Sequence, residues 1–267
     1  MGGMFSTRVI ALMPVAIAIN IVLGYTVQTV LKLPIYLDSI GTILVGVLAG
    51  PIAGLATGVL TNLIWQLTGI TPNIGAFAVV AGVIGLLAGL WGRLGVYQAR
   101  PASGVSLWAP AAVAVVVILF LASRIYNNPV YNDPNFYVSW YSTAIIIVGA
   151  VMSIAVLAWV FLRHDAAGAW VALSGAVTGI VAAIVSAPIS AYVFGGVTGG
   201  GTDVIVAALR QGGADVIQAS LGQGFFSDPI DKVITSFVVF VILQSLSPRI
   251  LARFPNGERL TGTTAAW

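Results

Sequence analysis

Long runs of apolar residues, separated by short polar breaks, dominate this amino-acid sequence. An α-helix needs about 20 predominantly apolar residues to cross the hydrocarbon core of a bilayer. The pattern predicts an all-α integral membrane protein, a polytopic helical bundle of about eight transmembrane helices that forms a single transmembrane domain over residues 1–267. The predicted helices cover residues 8–31, 38–50, 51–69, 74–93, 105–123, 138–162, 168–195 and 229–248.

The second and third predicted helices are joined by Gly50 and Pro51 alone. Proline lacks a backbone N–H and interrupts a helix, whereas it fits well in the first turn of a new one. Because no residues remain for a connecting loop, we expect these two helices to form a tight hairpin.

Glycine recurs at four-residue spacing in several of the predicted helices. Gly46, Gly50, Gly54 and Gly58 follow one another across the hairpin, and the later pairs Gly85–Gly89 and Gly175–Gly179 repeat the spacing. Small residues let helix backbones approach closely in lipid, where apolar side chains alone give little drive for association. The spacing therefore predicts a compact bundle with helix backbones in close contact.

The composition excludes most classes of soluble protein. Of the 267 residues, 59% are hydrophobic and only 7% are charged, whereas an average soluble domain carries about 25% charged residues. That is too little charge to cover a globule in water. A soluble enzyme, a nucleic-acid-binding protein and a disordered linker are therefore excluded.

Few residues that support catalysis or metal binding are present. Cysteine is absent and His164 is the only histidine, which argues against disulfides, thiolate nucleophiles and multi-histidine metal sites. The chain contains no nucleotide-binding loop and no nucleophile motif. We therefore predict a protein that is not an enzyme, with no catalytic residues, no metal and no cofactor. Any uphill movement of a solute would draw its energy from a partner or from an ion gradient.

The basic residues predict how the chain lies in the membrane. Cytoplasmic loops of membrane proteins carry an excess of Lys and Arg, so the larger group of basic residues is expected inside. With eight helices, this places both the N-terminus and the C-terminus in the cytoplasm. The basic residues that then lie inside are Arg8, Arg93, Arg100, Arg163, Arg249, Arg253 and Arg259.

Residues 195–228 form a long segment that this topology places outside the cell. The segment begins with the glycine run GGVTGGGTD, which is unfavourable for a helix, and continues as two short apolar stretches separated by Gly212 and Gly213. Each stretch is too short to span a bilayer. We expect an external lid segment, interfacial or re-entrant, with a surface loop as the alternative.

Polar residues near the ends of the predicted helices are candidates for ligand contacts. Asp38 opens the second helix, where its carboxylate could cap backbone N–H groups or contact a ligand. Asn62, Trp65 and Gln66 share one face of the third helix by their spacing, and Asn73 follows soon after. A tryptophan flanked by amides suits a flat, hydrogen-bonding heterocycle, although an interfacial position would explain Trp65 equally well.

A second set of candidates lies at the start of the last predicted helix. Pro229 fits the first helical turn with Asp228 as the N-cap, and Lys232 could pair with Asp228 or with Asp231. Asp203 is predicted to lie on the same external surface. These charges favour either a stabilising ion-pair cluster or direct contacts with a ligand.

Several stretches resemble the substrate-binding S components of energy-coupling factor (ECF) transporters. The run LPIYLDSIGTILVGVLAGPIAGLATGVLTNLI (33–64) has an aspartate before a small-residue helix, a Gly-Pro break, and a glycine-rich helix that ends in asparagine. The run TPNIGAFAVVAGVIGLLAGL (71–90) adds a further glycine-rich helix. The stretches APISAYVFGGVTGGGTD (187–203) and SDPIDKVITSFVVFVIL (227–243) are similar to the last two helices of some S components.

This resemblance implies a fold and a function. It implies a six-helix core formed by residues 8–93 and 168–250, with residues 105–162 as an inserted helical hairpin. It also implies a multi-pass subunit of the prokaryotic plasma membrane that captures a vitamin-like heterocyclic micronutrient with high affinity outside the cell. ECF ATPases would drive translocation through a transmembrane T component. Taken from the polar positions described above, the substrate-binding residues would be Asp38, Asn62, Trp65, Gln66, Asn73, Asp203, Asp228 and Lys232.

Two alternatives remain open. The chain could be a stand-alone secondary transporter, which would need an ionisable residue deep in a helix; every charge is predicted to lie near a helix end, which argues against it. It could also be a non-transporting sensory or structural subunit of a larger membrane complex. In both cases the lipid bilayer is a partner, and nucleic acid is not.

Overall fold

The structure is a computed structural model that describes residues 5–98 and 167–261. Two of the predicted spans, 105–123 and 138–162, and with them the inserted hairpin 105–162, lie outside the described residues. The described parts of the chain contain helices and loops and no strand, which confirms the predicted helical class for these residues.

The longer helices follow the predicted apolar runs closely. The helices are α1 (Thr7–Tyr25), α2 (Ile40–Ala49), α3 (Pro51–Thr68), α4 (Ala78–Arg93), α5 (Ala167–Phe194), α6 (Asp203–Gln211), α7 (Val216–Ser245), α8 (Pro248–Leu251) and α9 (Gly257–Leu260). Helix α1 continues directly into a π-helical segment, Thr26–Val30, and α4 is preceded by a short 3₁₀ helix, Ile74–Phe77. Helices α8 and α9 are single turns.

Three helical stretches are long and apolar enough to cross a membrane. Among the described residues these are Thr7–Val30, Ile74–Arg93 and Ala167–Phe194. Large apolar side chains on their outer surfaces are exposed, for example Val22 on α1 and Val79 on α4. In water such surfaces would be costly, whereas lipid covers them without penalty. These features are those of a helical membrane protein.

The junction between α2 and α3 has the predicted form. Helix α2 ends at Ala49 and α3 begins at Pro51. Gly50 lies between them with a φ of 101°, a conformation that side chains with a Cβ rarely adopt. The chain therefore reverses direction at a single residue, and the two helices lie side by side.

The predicted close approach of glycine-bearing helices is confirmed. A Cβ placed on Gly85 of α4 would lie 2.1 Å from the carbonyl oxygen of Gly54 on α3. A Cβ on Gly179 of α5 would lie 2.4 Å from the Cα of Pro229 on α7. Both distances are far below contact distance, so only glycine permits these helices to pack at this separation.

A buried asparagine joins the first three helices. Asn20 of α1 is fully buried; its Nδ2 group donates to the hydroxyls of Thr42 at 2.8 Å and Thr61 at 3.1 Å. Its Oδ1 atom accepts the backbone N–H of Gly41 at 2.7 Å, in the first turn of α2. Asn20 therefore satisfies a helix-start N–H that has no partner within α2 itself.

The opposite end of α2 is held by the C-terminal segment. The backbone N–H of Asn256 donates to the carbonyl oxygen of Leu48 at 3.0 Å, and its Nδ2 group donates to that of Val47 at 2.9 Å. The last carbonyl groups of a helix lack partners inside the helix. Asn256 donates to two of these carbonyl groups, so the segment between α8 and α9 is held at the end of α2.

The prediction for the last helix was wrong at its N-terminus. Helix α7 begins at Val216 rather than near Pro229, and its N-cap is Asp215, which forms a reciprocal capping box with Gln218. Pro229 lies inside the helix and Asp228 is not a cap. A proline at a helix start and a proline within a helix give the same local sequence signal. Here the proline lies within the helix, where it packs closely against Gly179 of α5.

The structure changes the interpretation of residues 195–228. The glycine run up to Thr202 is not helical, as predicted, and Gly212 and Gly213 separate two helices. The first apolar stretch forms α6 alone. The second is the N-terminal part of the continuous helix α7, so the segment is not a pair of independent short pieces.

Candidate functional site

A cavity of about 210 Å³ lies at the end of the bundle where α1, α3 and α5 end. This volume is well above the roughly 10–15 Å³ that holds one water molecule. The cavity therefore has room for a small organic molecule. It is lined by Gln28, Thr29, Tyr36, Asp38, Ser39, Asn62, Ile70, Thr71, Pro72, Ile74, Phe77, Val80, Ala81, Ile84, Ala182, Ser186, Ser190, Phe194, Thr198, Gly199, Gly200, Gln223, Asp228 and Lys232.

Helix α7 supplies the charged wall of the cavity. Asp228 and Lys232 lie four residues apart, which places them on one face of the helix, and they are only 4% and 2% exposed. Gly175 and Gly179 of α5 pack against the α7 backbone at these positions. The glycines thus let α7 lie close to α5 where it carries the charges.

The loop that precedes α2 forms a second wall, and Asp231 holds it in place. The Oδ1 atom of Asp231 accepts the backbone N–H groups of Tyr36 at 2.9 Å and Leu37 at 2.8 Å. Leu37 has a φ of 52°, a strained conformation for a residue with a branched side chain. Such strain persists where the surroundings determine the backbone, and the completely buried Asp231 provides that restraint.

Lys232 is the centre of a buried polar network. Its Nζ group donates to the hydroxyl of Ser39 at 2.9 Å and to the Oδ2 atom of Asp231, and it lies 3.6 Å from the Oδ1 atom of Asp38. Asp38 also accepts a hydrogen bond from Gln28 at 3.2 Å. A lysine ammonium has three N–H donors; two of them are hydrogen-bonded here, and Asp38 adds an ion pair at a longer distance. Of the two partners left open from the sequence, Asp228 and Asp231, the ion pair forms with Asp231, and Asp38 is a second partner that was not predicted.

Of the two roles left open for Asp38, capping of α2 is wrong. Ser39 occupies the N-cap position of α2, with no side-chain capping bond. The N–H of Gly41, in the first turn of α2, is bound by Asn20 from α1. The carboxylate of Asp38 turns toward Gln28 and Lys232 instead, where it lines the cavity.

Tyr36 lies over the charged network. The Nζ group of Lys232 lies 5.8 Å from the centroid of the Tyr36 ring. The Tyr36 hydroxyl accepts a hydrogen bond from Gln223 at 2.8 Å. Burial raises the pKa of the Tyr36 phenol well above its ordinary value, and the nearby Asp228 acts in the same direction. The phenol therefore stays protonated at neutral pH.

The remaining wall of the cavity is apolar and aromatic. Phe77 and Phe194 stack with their ring centroids 5.2 Å apart and an interplanar angle of 20°. Ile74, Val80 and Ile84 continue this wall along the 3₁₀ helix and α4. The cavity therefore has one charged side and one apolar side, an arrangement suited to a ligand with a ring and a polar group.

Four of the predicted site residues line the cavity, and four do not. Asp38, Asn62, Asp228 and Lys232 are among the lining residues. Trp65 is 1% exposed and packs against Gly24 of α1, and its indole Nε1 donates to the hydroxyl of Thr71 at 3.1 Å. Because Thr71 lines the cavity, Trp65 contacts the site from behind and offers no face to a ligand.

Gln66 and Asn73 shape the turn between α3 and α4. The Oε1 atom of the exposed Gln66 accepts the backbone N–H of Gly75 at 3.0 Å. Asn73 has a φ of 60°, a left-handed conformation that asparagine tolerates better than most residues, and precedes the 3₁₀ helix. Both residues thus fix the loop that carries Thr71 and Ile74, without lining the cavity themselves.

Asp203 organises the glycine-rich loop over the cavity. Its Oδ1 atom accepts the backbone N–H of Thr198 at 2.9 Å and the hydroxyl of the same residue at 2.8 Å, and its Oδ2 atom accepts the N–H of Gly199 at 2.7 Å. Thr198 and Gly199 line the cavity, whereas Asp203 does not. Asp203 is therefore a positioning residue for this loop.

Several functional residues were missed at the sequence level. Tyr36, Gln223 and Ser186 line the cavity, and Asp231 anchors the loop beside it. A signal existed for the serines of α5, since Ser186 and Ser190 recur four residues apart in an apolar helix and both line the cavity. Nothing in the sequence distinguished Asp231 from its neighbours.

No protein-family model matches the chain, and neither a curated protein nor a solved structure matches it. Among the residues that the structure describes, no group of three or more His, Cys, Asp and Glu side chains is placed to hold a metal ion.

Proposed function

We propose that this protein is a membrane-embedded binding and translocation subunit for a small vitamin-like heterocyclic solute, like the S components of ECF transporters. The observation that carries the proposal is the cavity at one end of an apolar helical bundle, with charged residues on one side and stacked aromatic rings on the other. In this proposal eight helices span the membrane, residues 105–162 form an inserted hairpin, and both termini lie in the cytoplasm.

The mode of capture follows from the two walls. A flat ring would lie along Phe77 and Phe194, where apolar surface is removed from water. Asn62, which is 5% exposed, would supply an amide for hydrogen bonds in the plane of the ring. Such polar groups, few in number and fixed in position, give a largely apolar pocket its specificity.

The glycine-rich loop 195–202 is suited to act as a lid. A Cβ on Gly201 would lie 2.2 Å from the carbonyl oxygen of Lys32, so this loop packs directly against the loop before α2. Asp203 holds its conformation through three hydrogen bonds. A segment so rich in glycine has few apolar side chains to anchor it, so it can open at modest cost.

Energy for translocation would come from partner subunits. The sequence contains no nucleotide-binding loop, which agrees with a division of labour in which a T component and cytoplasmic ATPases drive the movement. The cavity would then face outward before docking and be exposed to the cytoplasm after a reorientation in the membrane.

The experiment is to purify the protein in mild detergent and identify any bound compound by native mass spectrometry and extraction. One small heterocyclic compound per chain is expected, together with ATPase and coupling subunits when these are co-expressed. Asn62→Leu should reduce the bound fraction at least about tenfold, because a buried amide contact is lost. Gln244→Leu, at an exposed position near the end of α7 and outside the cavity, is the matched control. An empty wild-type protein would refute the proposal.

A second candidate is a secondary transporter driven by an ion gradient. Every charge was predicted to lie near a helix end, and this prediction was wrong for Asp228, Asp231 and Lys232. These residues lie in the middle of α7 and are almost fully buried. Ionisable residues buried inside the helical bundle of a membrane protein often mark coupled transport. Uptake into liposomes that contain this protein alone, driven by a proton gradient, would favour this candidate over the first.

A further inference from the structure

The charges around the cavity do not balance. Three carboxylates, those of Asp38, Asp228 and Asp231, surround a single ammonium group, that of Lys232. Lys232 is the only cationic side chain among the described residues that line the cavity. With all four groups ionised, the cluster carries two negative charges in excess, and the side chains of Asp228, Asp231 and Lys232 are almost fully buried.

Lys232 is not free to neutralise a ligand. Its Nζ group donates to Ser39 and Asp231, and the carboxylate of Asp38 lies 3.6 Å away, so an anionic ligand would have to compete with two carboxylates for this ammonium group. The carboxylate of Asp231 is also hydrogen-bonded already, since it accepts two backbone N–H groups and the Lys232 ammonium. These two residues form a structural unit that holds the loop before α2.

Asp228 is the carboxylate with unused capacity. It is 4% exposed and lines the cavity, and its hydrogen bond among the described residues comes from Ser186, at the long distance of 3.5 Å. An ionised carboxylate accepts about four hydrogen bonds, and a buried charge is costly unless it is paired. The nearby Lys232 attracts this carboxylate but donates its hydrogen bonds to Ser39 and Asp231, so a further donor or positive charge for Asp228 would come from the cavity.

We infer that the ligand is a flat aromatic or heteroaromatic cation, with its positive group on Asp228 and its ring along Phe77 and Phe194. This inference rests on the proposed function and specifies the class of solute. The stacked rings of Phe77 and Phe194 add to the preference for a cation, since aromatic faces attract positive charge. A neutral ligand whose carbonyl group meets a protonated Asp228 is the competing arrangement, and it predicts a different response to substitution.

The test compares three probes of similar size that differ in charge: benzylammonium, benzyl alcohol and benzoate. Their dissociation constants are measured by calorimetry on the detergent-solubilised protein after any bound compound has been removed. A buried charge pair contributes about 2 kcal/mol or more, which corresponds to about 30-fold in affinity. We expect benzylammonium to bind about 30-fold more tightly than benzyl alcohol, and benzoate to bind least.

Substitutions then assign the preference to one side chain. Asp228→Asn keeps the shape and loses the charge, so it should abolish the roughly 30-fold preference and leave benzyl alcohol within about threefold of its wild-type affinity. Asp228→Glu retains the charge and should retain the preference. Asp215→Asn, at the exposed N-cap of the same helix, is the control, because asparagine caps a helix as well as aspartate does.

The outcomes separate the inference from the proposed function. Equal affinities for the three probes, a preference for benzoate, no binding of benzylammonium, or a preference that survives Asp228→Asn would each overturn the inference. The compound extracted from the wild-type protein gives an independent reading. A positively charged heterocycle supports the inference, whereas a neutral or anionic one overturns it and leaves the proposed capture function intact. Absence of any compound refutes the function itself.

Discussion

Replacing Asp231 by asparagine should destabilise the protein more than any other single loss of charge near the cavity. The side chain is fully buried, accepts two backbone N–H groups from the loop before α2, and pairs with Lys232. In Asp231→Asn the amide oxygen can still accept the two backbone groups. The amide nitrogen, however, faces the ammonium of Lys232, so a buried positive charge loses its closest partner.

The magnitude follows from the remaining partners of Lys232. Removal of one member of a buried ion pair typically costs about 3–5 kcal/mol, because the other charge is left uncompensated. Asp38 still lies 3.6 Å from the Nζ group and is 23% exposed, so it compensates in part. We therefore expect a loss at the lower end, about 3 kcal/mol, which corresponds to about 6–12 °C in Tm for a chain of this length.

A double variant distinguishes loss of a charge partner from simple disruption of packing. Asp231→Asn combined with Lys232→Met removes the ammonium together with its closest partner and keeps an unbranched side chain of similar length. It should recover about half of the lost free energy of unfolding or more. Asp215→Asn serves as the control for the same substitution at an exposed site on the same helix.

The assay is reversible unfolding in detergent, followed by tryptophan fluorescence and circular dichroism. A loss below about 1 kcal/mol in Asp231→Asn would show that the pair contributes no more than an exposed ion pair. A double variant as unstable as the single one would show that charge is not the cause. Either result would refute the claim that charge pairing with Lys232 stabilises this part of the fold.

Three further predictions test the packing and the loop. Gly85→Ala should destabilise the protein by about 2 kcal/mol, because its Cβ would lie 2.1 Å from a carbonyl oxygen of α3; Gly75→Ala, with contacts at 3.4 Å, should cost little in the same unfolding assay. Asn20→Leu should cost about 3 kcal/mol, since a buried N–H and two hydroxyls lose their partner. Asp203→Asn should speed ligand release several-fold with little change in Tm, measured by stopped-flow fluorescence against Asp215→Asn; an unchanged rate would contradict its loop-positioning role.

The sequence by itself determined the helical, membrane-compatible class and most helix boundaries in the described residues. Long apolar runs require a helix in lipid because every backbone N–H and C=O group must be satisfied within the segment. The Gly50–Pro51 break ends α2 and starts α3 for purely local reasons, the missing N–H of proline and the positive φ open to glycine. The spacing of the glycines likewise indicated close helix contacts. Glycine has no Cβ, so it lets any neighbouring helix backbone approach closely.

Only the tertiary structure decided which polar residues form the site. Trp65 and Asn62 share a helix face in sequence, yet Asn62 lines the cavity and Trp65 is buried behind it against Gly24. Spacing along one helix gives a direction relative to that helix alone. Which neighbour lies in that direction depends on the packing of other helices.

The course of the last helix and the role of its charges were decided in the same way. Pro229 could begin a helix or lie within one, and contact with Gly179 of α5 made the second possible. Asp231 gains its importance from Tyr36 and Leu37, which lie 195 and 194 residues earlier in the chain. The sequence around a residue indicates its preference for a helix or a turn. The partners of a buried charge, in contrast, lie in distant segments of the chain, and they come together only in the folded protein.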